Sequence, residues 1–313
     1  MSNRTTRLAP SPTGALHLGN ARTFLITWAM ARKFGWRLEL RIEDLDGPRI
    51  KRAAAQQALD LFAWLGIDYD GEPTYQSADL EPYRAAMHML AVRGVVYQCM
   101  LSRTQIEQAS AAPHRGEHEL RFPSELRPTD LGMFVFDEQE TNYRFVVGDE
   151  SIRIDDEFAG RSVFRPLDEV GDFVVWTKRG TPSYQLAVTV DDARQRITDV
   201  VRGDDLLSSA ARQTLLYGAL DLKPPKWWHL PLVVGPDGRR LAKRHGDTRL
   251  TAYQEAGVPA SRIIGLLASW SGICDKPTEM MAEEFRDSLI LDGLDRGPVV
   301  FRQEHHRWLL DEV

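Results

Sequence analysis

The sequence predicts an α/β fold: a parallel sheet flanked by helices, split by an insertion and followed by a helical C-terminal stretch. Three observations predict it. Strand-like and helix-like segments alternate from Arg7 to Gly94, the order expected of βαβ units. From about Tyr97 to Gly171 the texture changes to polar, proline-interrupted sequence such as "ASAAPHRGEHELRFPSELRPTD". After Gly246 the apolar spacing is mostly helical. With 313 residues, 43% of them hydrophobic, the chain can bury a core for two or three structural units.

The elements follow in order. Arg7 to Ala9 precedes a proline, as a strand end does. Leu18 to Phe34 sets apolar residues at helical spacing and meets Gly35, a helix stop. "WRLELRIEDLD" alternates apolar and charged side chains, a strand pattern. Ala53 to Leu65 and Pro82 to Val92 read as helices stopped by Gly66 and Gly94. Inside the insertion "NYRFVV" is strand-like. "DFVVWT", "YQLAVTV" and "RITDVV" read as strands returning to the sheet. Ser208 to Leu220 reads as a helix capped by Ser208, and "WWHLPLVV" as a buried strand.

Composition narrows the classes. The net charge of −6 does not by itself point to nucleic acid, although a local basic face can sit on an acidic protein. Two cysteines, Cys99 and Cys274, allow at most one bridge, so a reducing cytoplasm is the expected location. No apolar run reaches the roughly 18 residues of a membrane span, and no signal-peptide core follows "MSNRTTR". No membrane partner is expected, and nothing demands more than a monomer.

Two stretches carry chemistry. "RLAPSPTGALHLGNAR", Arg7 to Arg22, reads as a strand, a turn with two prolines and two glycines, and a helix start. Ligands of α/β sheets lie where strands end and helices begin, and free N–H groups at a helix start favour phosphate. Gly14 and Gly19 allow close approach, and His17 can donate to a phosphate oxygen. Alone, the stretch is equally a polar turn with a surface histidine. "GPDGRRLAKRHGD", Gly235 to Asp247, sets Arg239, Arg240, Lys243, Arg244 and His245 behind a glycine-rich turn. A mobile basic loop can close on a polyphosphate; alone, such a charge run is more often a solvated face.

Together the two stretches resemble the "HIGH" and "KMSKS" signatures of class I aminoacyl-tRNA synthetases, with "HLGN" for the first and "LAKRH" for the second. "RLAPSPTGALHLGNAR", "LRIEDLD", "WLGIDYDG", "YQS", "YQLAVTVDD", "DVVRGDDLL", "RQ" and "HLPLVVGPDGRRLAKRHG" follow one another as in the glutamyl branch of that class, from Arg7 to about Gly246. The resemblance implies a Rossmann-like parallel-sheet catalytic domain with an inserted α+β subdomain and a C-terminal helical segment. On this chain that gives a first catalytic half over 1–96, a tRNA-contacting insertion over 97–171, a second half with the "KMSKS"-like loop over 172–246, and a stem-contact-like helical region over 247–313.

The resemblance further implies activation of L-glutamate by ATP to glutamyl-adenylate and pyrophosphate. Carried over position by position, Arg7, Ala9, Ser11, Glu43, Tyr184 and Arg202 would bind glutamate. Arg7 and Arg202 can each hold a carboxylate in bidentate fashion. Glu43 would receive the ammonium group, Tyr184 would line the pocket, and Ser11 can donate a hydroxyl. Pro10, His17, Gly19, Asn20, Leu241 and Lys243 would hold ATP, with His17 and Lys243 stabilising phosphate charge during the reaction. Mg²⁺ is expected to accompany ATP, held largely by phosphates and water.

Three features depart from the branch's pattern. The "KMSKS" counterpart reads Arg240-Leu241-Ala242-Lys243, without the serine hydroxyl, which keeps a non-catalytic paralogue binding ATP, glutamate or RNA as an alternative. In the insertion, "YQCMLSR" keeps Cys99 but has Leu101 at a second cysteine position. Cys99, His114 and His118 make three candidate ligands where structural zinc takes four, so no zinc site is expected. Third, about 65 residues follow the loop, too few for the anticodon-binding region of a full glutamyl-tRNA synthetase. That length resembles the short paralogues of the branch, which esterify glutamate onto the queuosine base in the anticodon loop of tRNA(Asp). Arg239, Arg240 and Arg244 with Arg103, Arg115 and Arg121 are then candidate RNA contacts. A truncated enzyme charging the tRNA(Glu) 3′ end is the second alternative.

Overall fold

The structure is a computed structural model and describes residues 3–12, 14–45, 52–109, 120–239, 241 and 246–310. The chain opens with β1 (Thr5–Leu8), α1 (Leu18–Phe34), β2 (Arg37–Ile42), α2 (Arg52–Trp64), β3 (Thr74–Tyr75) and α3 (Glu81–Val92). The three strands pair in parallel in the order β1-β2-β3, with Arg7 opposite Glu39 and Arg41 opposite Thr74. Helix α1 ends at Gly35, whose φ of 65° turns the chain into β2 at no steric cost. The alternation expected of a βαβ unit is therefore present from the first residues described.

The insertion contributes β4 (Val96–Cys99), α4 (Arg103–Ala109), β5 (Asn142–Phe145), a hairpin of β6 (Ile152–Asp156) and β7 (Gly160–Phe164), α5 (Pro166–Glu169), β8 (Val174–Thr177) and β9 (Thr181–Pro182). Strands β4, β5, β8 and β9 form an antiparallel sheet in that order. "DFVVWT" therefore belongs to this sheet, paired with β5, and not to the parallel one as its sequence position suggests. Buried Cys99 packs with Tyr97, Ile106 and Phe122, while His114, His118 and Arg115 lie outside the described residues.

"YQLAVTV" is helix α6 (Tyr184–Arg194), not a strand. Every residue from Gln185 to Asp192 is buried, so no polar face marks the helical period, and Val188, Thr189 and Val190 supply strand-like local preference. Then come β10 (Asp199–Gly203), α7 (Leu207–Ala219) and β11 (Lys226–Leu230), with β10 and β11 parallel. The residue capping α7 is Leu206 rather than Ser208, because Asp204 to Leu206 already turn as a 3₁₀ segment into the helix. β10 lies beside β1, where the Thr198 amide donates to the Thr5 carbonyl at 2.9 Å.

The C-terminal stretch is not purely helical. Between β12 (Val233–Val234) and β13 (Val299–Val300), which pair in parallel, run α8 (Leu250–Glu255), α9 (Ala260–Ser269) and α10 (Ala282–Ser288); α11 (Gln303–Leu310) closes the chain. One apolar core joins β1, β2, α1 and α2 to α9 and α10. Lys33 reaches across to donate to the Leu289 carbonyl at 2.7 Å. Arg22, buried on α1, donates to the Pro231 carbonyl at 2.9 Å and ties the first half to the segment before β12. No helix among the described residues is long and apolar enough to cross a membrane.

Phe285 of α10 is fully buried in that core. Phe285→Ala is expected to cost about 3–5 kcal/mol, read as a lowered denaturation midpoint. A loss under about 1 kcal/mol would mean that α10 does not complete the core.

Candidate active site

A cleft of about 480 Å³ opens where β1 and β10 end and α1 begins, the place where α/β sheets take ligands. Arg7, Ala9, Pro10, Ser11, His17, Gly19, Asn20, Glu43, Tyr184 and Arg202 all line it. Positions nearly two hundred residues apart in sequence thus meet because β1 and β10 run side by side. Leu241 is placed elsewhere, packed into the main core. Lys243, Arg240, Ala242, Arg244 and His245 lie outside the described residues.

One end of the cleft is built from buried charge. Arg7 and Arg202 are each almost fully buried. Arg7 donates to Asp192 Oδ1 and to the Val201 carbonyl, both at 3.3 Å. Asp192 Oδ1 also accepts from Arg41 at 2.7 Å, and Arg41 donates in turn to Gln195 Oε1 at 2.8 Å and Glu43 Oε1 at 3.2 Å. Burial works against the Asp192 carboxylate, but Arg41 and Arg7 outweigh it and hold its pKa below the usual value. For Glu43 burial wins and raises the pKa, even with Arg41 and Arg7 beside it. Burial lowers the Arg202 pKa, and the nearby Arg7 adds to that against the pull of Tyr184.

Arg202 is held from three sides. It donates to His229 Nε2 at 2.9 Å and to the Leu206 carbonyl at 3.2 Å, and lies 3.5 Å from the Tyr184 hydroxyl. Its guanidinium also sits 4.9 Å from the centre of the Trp227 ring. Glu43 is fixed by its own amide, which donates to the Pro10 carbonyl at 3.0 Å.

The other end is built from dipoles. His17 caps α1: its Nδ1 accepts from the amides of Gly19 at 3.1 Å and Asn20 at 3.4 Å, while Asn20 Oδ1 accepts from the His17 amide at 3.2 Å. The Leu18 amide donates to the Thr248 carbonyl at 3.1 Å. This corrects the picture of free amides waiting for phosphate: the first amides of α1 are already engaged. With Nδ1 accepting, the neutral His17 ring carries its hydrogen on Nε2. A Cβ on Gly19 would stand 3.0 Å from His17 Cε1, so glycine leaves room for the capping ring.

A second cavity of about 420 Å³ lies beyond Tyr184, which lines both. Arg103, Arg144, Arg212, Ser183 and Gln185 are among its walls. Of the other expected RNA contacts, Arg121 donates to the Leu167 carbonyl at 3.2 Å, and the backbone carbonyl of exposed Arg239 accepts from the Gly235 amide at 2.8 Å, closing that turn. Arg103 pairs with Glu107 at 2.8 Å.

Sequence reasoning missed Arg41, Asp192, His229 and Asp156. Arg41 and Asp192 stood inside "RIED" and "VDD" but carried no sign that they would pair. His229 stood in a run read only as an apolar strand.

Comparison with known proteins agrees with this architecture. Residues 4–289 match the family described as tRNA synthetases class I (E and Q), catalytic domain. The chain is 42% identical to the Glutamyl-Q tRNA(Asp) synthetase of Rhodopirellula baltica, over 95% of this chain and 93% of that one. It is also 42% identical to the protein of the same name from Symbiobacterium thermophilum, over 94% of each. Among solved structures, glutamate-tRNA synthetase from Elizabethkingia anophelis superposes with a TM-score of 0.79 at 25% identity, covering 98% of this chain and 70% of that one.

Asp192→Asn should remove the carboxylate that Arg7 and Arg41 share, leaving Arg41 with Glu43, at about 3–5 kcal/mol of stability. The sign follows from the lowered pKa. The wild type keeps this contribution above the ordinary carboxylate pKa of about 4 and loses it as pH falls through the lower folded value. The variant lacks it at every pH, so the two denaturation midpoints should converge in acid. A gap of the same size at all pH values would refute the ionic role.

Proposed function

The chain belongs to the class I tRNA synthetases of the glutamate and glutamine branch, and from that premise we propose that it activates L-glutamate with ATP and passes it to the queuosine base in the anticodon loop of tRNA(Asp). The complementarity of the cleft supports the first half. Glutamate carries two carboxylates and one ammonium; the cleft presents two buried guanidiniums, Arg7 and Arg202, and one carboxylate, Glu43. Bidentate pairing suits the arginines, Tyr184 supplies a hydroxyl beside Arg202, and Ser11 supplies another in the lining.

In this reading the glutamate α-carboxylate attacks the α-phosphorus of ATP in line, and pyrophosphate leaves. No covalent enzyme intermediate is needed, so the protein's work is positioning and stabilising phosphate charge. His17 Nε2–H is the donor at the mouth of α1, with Gly19, Asn20 and Pro10 shaping the nucleotide's approach. Leu241 would act from the core by seating the basic loop, and Lys243 would meet the pyrophosphate. Mg²⁺ enters with the nucleotide, held by phosphate oxygens and water; the described residues add no cluster of three metal-ligating side chains.

The acceptor half rests on one observation: likeness along nearly the full length of two proteins named for glutamate transfer to tRNA(Asp). The second cavity supports it, since its arginines flank a route to Tyr184 from the insertion side. In the same reading the chain divides into two catalytic halves over 1–96 and 172–246, a tRNA-contacting insertion over 97–171 and a stem-contact-like helical region over 247–313.

Two measurements test this. Glutamate-dependent ATP–pyrophosphate exchange is expected without any tRNA, followed by transfer to queuosine-containing tRNA(Asp) lacking its 3′-terminal adenosine. Exchange that requires tRNA(Glu), with charging of its 3′ end alone, would overturn the acceptor assignment; no exchange under any condition would overturn the activity. Glu43→Gln should lower kcat/KM for glutamate by about a hundredfold, and an unchanged value would remove Glu43 from the site.

A further inference from the structure

The β6–β7 hairpin stands outside the parallel sheet, yet its turn reaches under the cleft. Asp156 Oδ1 accepts the amides of Phe158 at 2.9 Å and Ala159 at 2.7 Å, which fixes the turn. Both Asp156 oxygens lie 3.2 Å from the His229 amide, and Oδ2 lies 2.6 Å from His229 Nδ1. Asp156 and His229 are both buried. On the far side of the imidazole, Nε2 faces Arg202 Nε at 2.9 Å.

The chain of donors has one consistent assignment. Arg202 Nε always carries a hydrogen and has no lone pair to offer. His229 Nε2 must therefore accept, so the neutral ring holds its hydrogen on Nδ1 and donates it to Asp156. We propose that Asp156 and His229 are positioning residues of the glutamate site, in which Asp156 fixes the His229 tautomer and the imidazole lone pair aims the Arg202 guanidinium into the cleft. This rests on the reading of Arg202 as a carboxylate ligand. It makes the inserted hairpin part of substrate recognition without touching substrate.

A pH dependence follows. The groups facing the imidazole are Asp156 from the hairpin, Arg202 from β10 and the Leu206 carbonyl before α7. Tyr184 from α6 meets Arg202, and Tyr217 from α7 packs on Trp227. Burial outweighs Asp156 and, with Arg202, lowers the His229 pKa below its ordinary value. The ring is thus neutral at physiological pH. Protonation in acid removes the lone pair and sets a cation against Arg202, weakening its hold on a carboxylate.

The test compares Asp156→Asn, His229→Gln and the double variant by glutamate-dependent pyrophosphate exchange. Asparagine keeps an oxygen for the turn amides but offers an N–H to Nδ1, which forces the imidazole hydrogen onto Nε2, against Arg202. Asp156→Asn should raise KM for glutamate about tenfold while KM for ATP stays put. Glutamine at 229 accepts through an amide oxygen that has no tautomer and no titration. In that background Asp156→Asn should lose its effect. Glu43 also titrates in acid, so the pH readout is the difference between wild type and His229→Gln: the wild-type glutamate KM should climb more steeply below the ordinary histidine range. An Asp156→Asn defect of equal size in both backgrounds, or one that moves both KM values alike, would mark Asp156 as a turn brace only and overturn the proposal. An Arg202→Lys variant with unchanged glutamate KM would instead overturn the reading on which it rests.

Discussion

The arrangement depends on one buried carboxylate. Asp192, on α6, takes Arg41 from β2 and Arg7 from β1, and is itself fully enclosed. Three charges in a low-dielectric interior are tolerable only when they face each other at hydrogen-bond distance. The same contact therefore closes the fold and shapes the site. It joins the strands of the first half to a helix that follows the insertion, and it leaves the outer face of Arg7 directed at the cleft. Arg41, fully buried, spreads the constraint to Glu43 and Gln195.

Around that anchor the cleft divides its labour by kind of charge. One end, with Arg7, Arg202 and Glu43, uses full charges, buried so that water does not screen them. The other end uses the oriented imidazole of His17, held by the very amides that open α1. Tyr184 stands at the wall between this cleft and the second cavity, and it contacts Arg202 as well.

How much of this is legible in sequence varies with the physical cause. α1 is legible because its apolar residues recur at helical spacing and Gly35 ends it. α6 is not, because burial on every side erases the polar face that reveals a helix; its valines and threonine then look like a strand. β8 reads correctly as a strand but joins the insertion's sheet, since strand pattern does not encode the partner. The residues lining the cleft are legible through the order of motifs. The residues that orient them are not: Arg41 and Asp192 are 151 positions apart, and His229 and Asp156 are 73 apart. Each of these pairs is a long-range match of a donor to an acceptor, which no local period announces. The engaged amides at the start of α1 are hidden for a similar reason, because one of their acceptors, the Thr248 carbonyl, lies 230 positions further along the chain.

In the proposed function Arg7 and Glu43, braced through Asp192 and Arg41, and Arg202, braced through His229, form a preorganised receptor for glutamate. Calorimetric titration of the chain with L-glutamate and with L-glutamine, in the absence of ATP and RNA, tests it most directly. Saturable binding of glutamate is expected, with an affinity for glutamine lower by about a hundredfold, because a neutral amide leaves one guanidinium buried without its anion. Equal affinity for the two, or no glutamate binding until RNA is added, would contradict it.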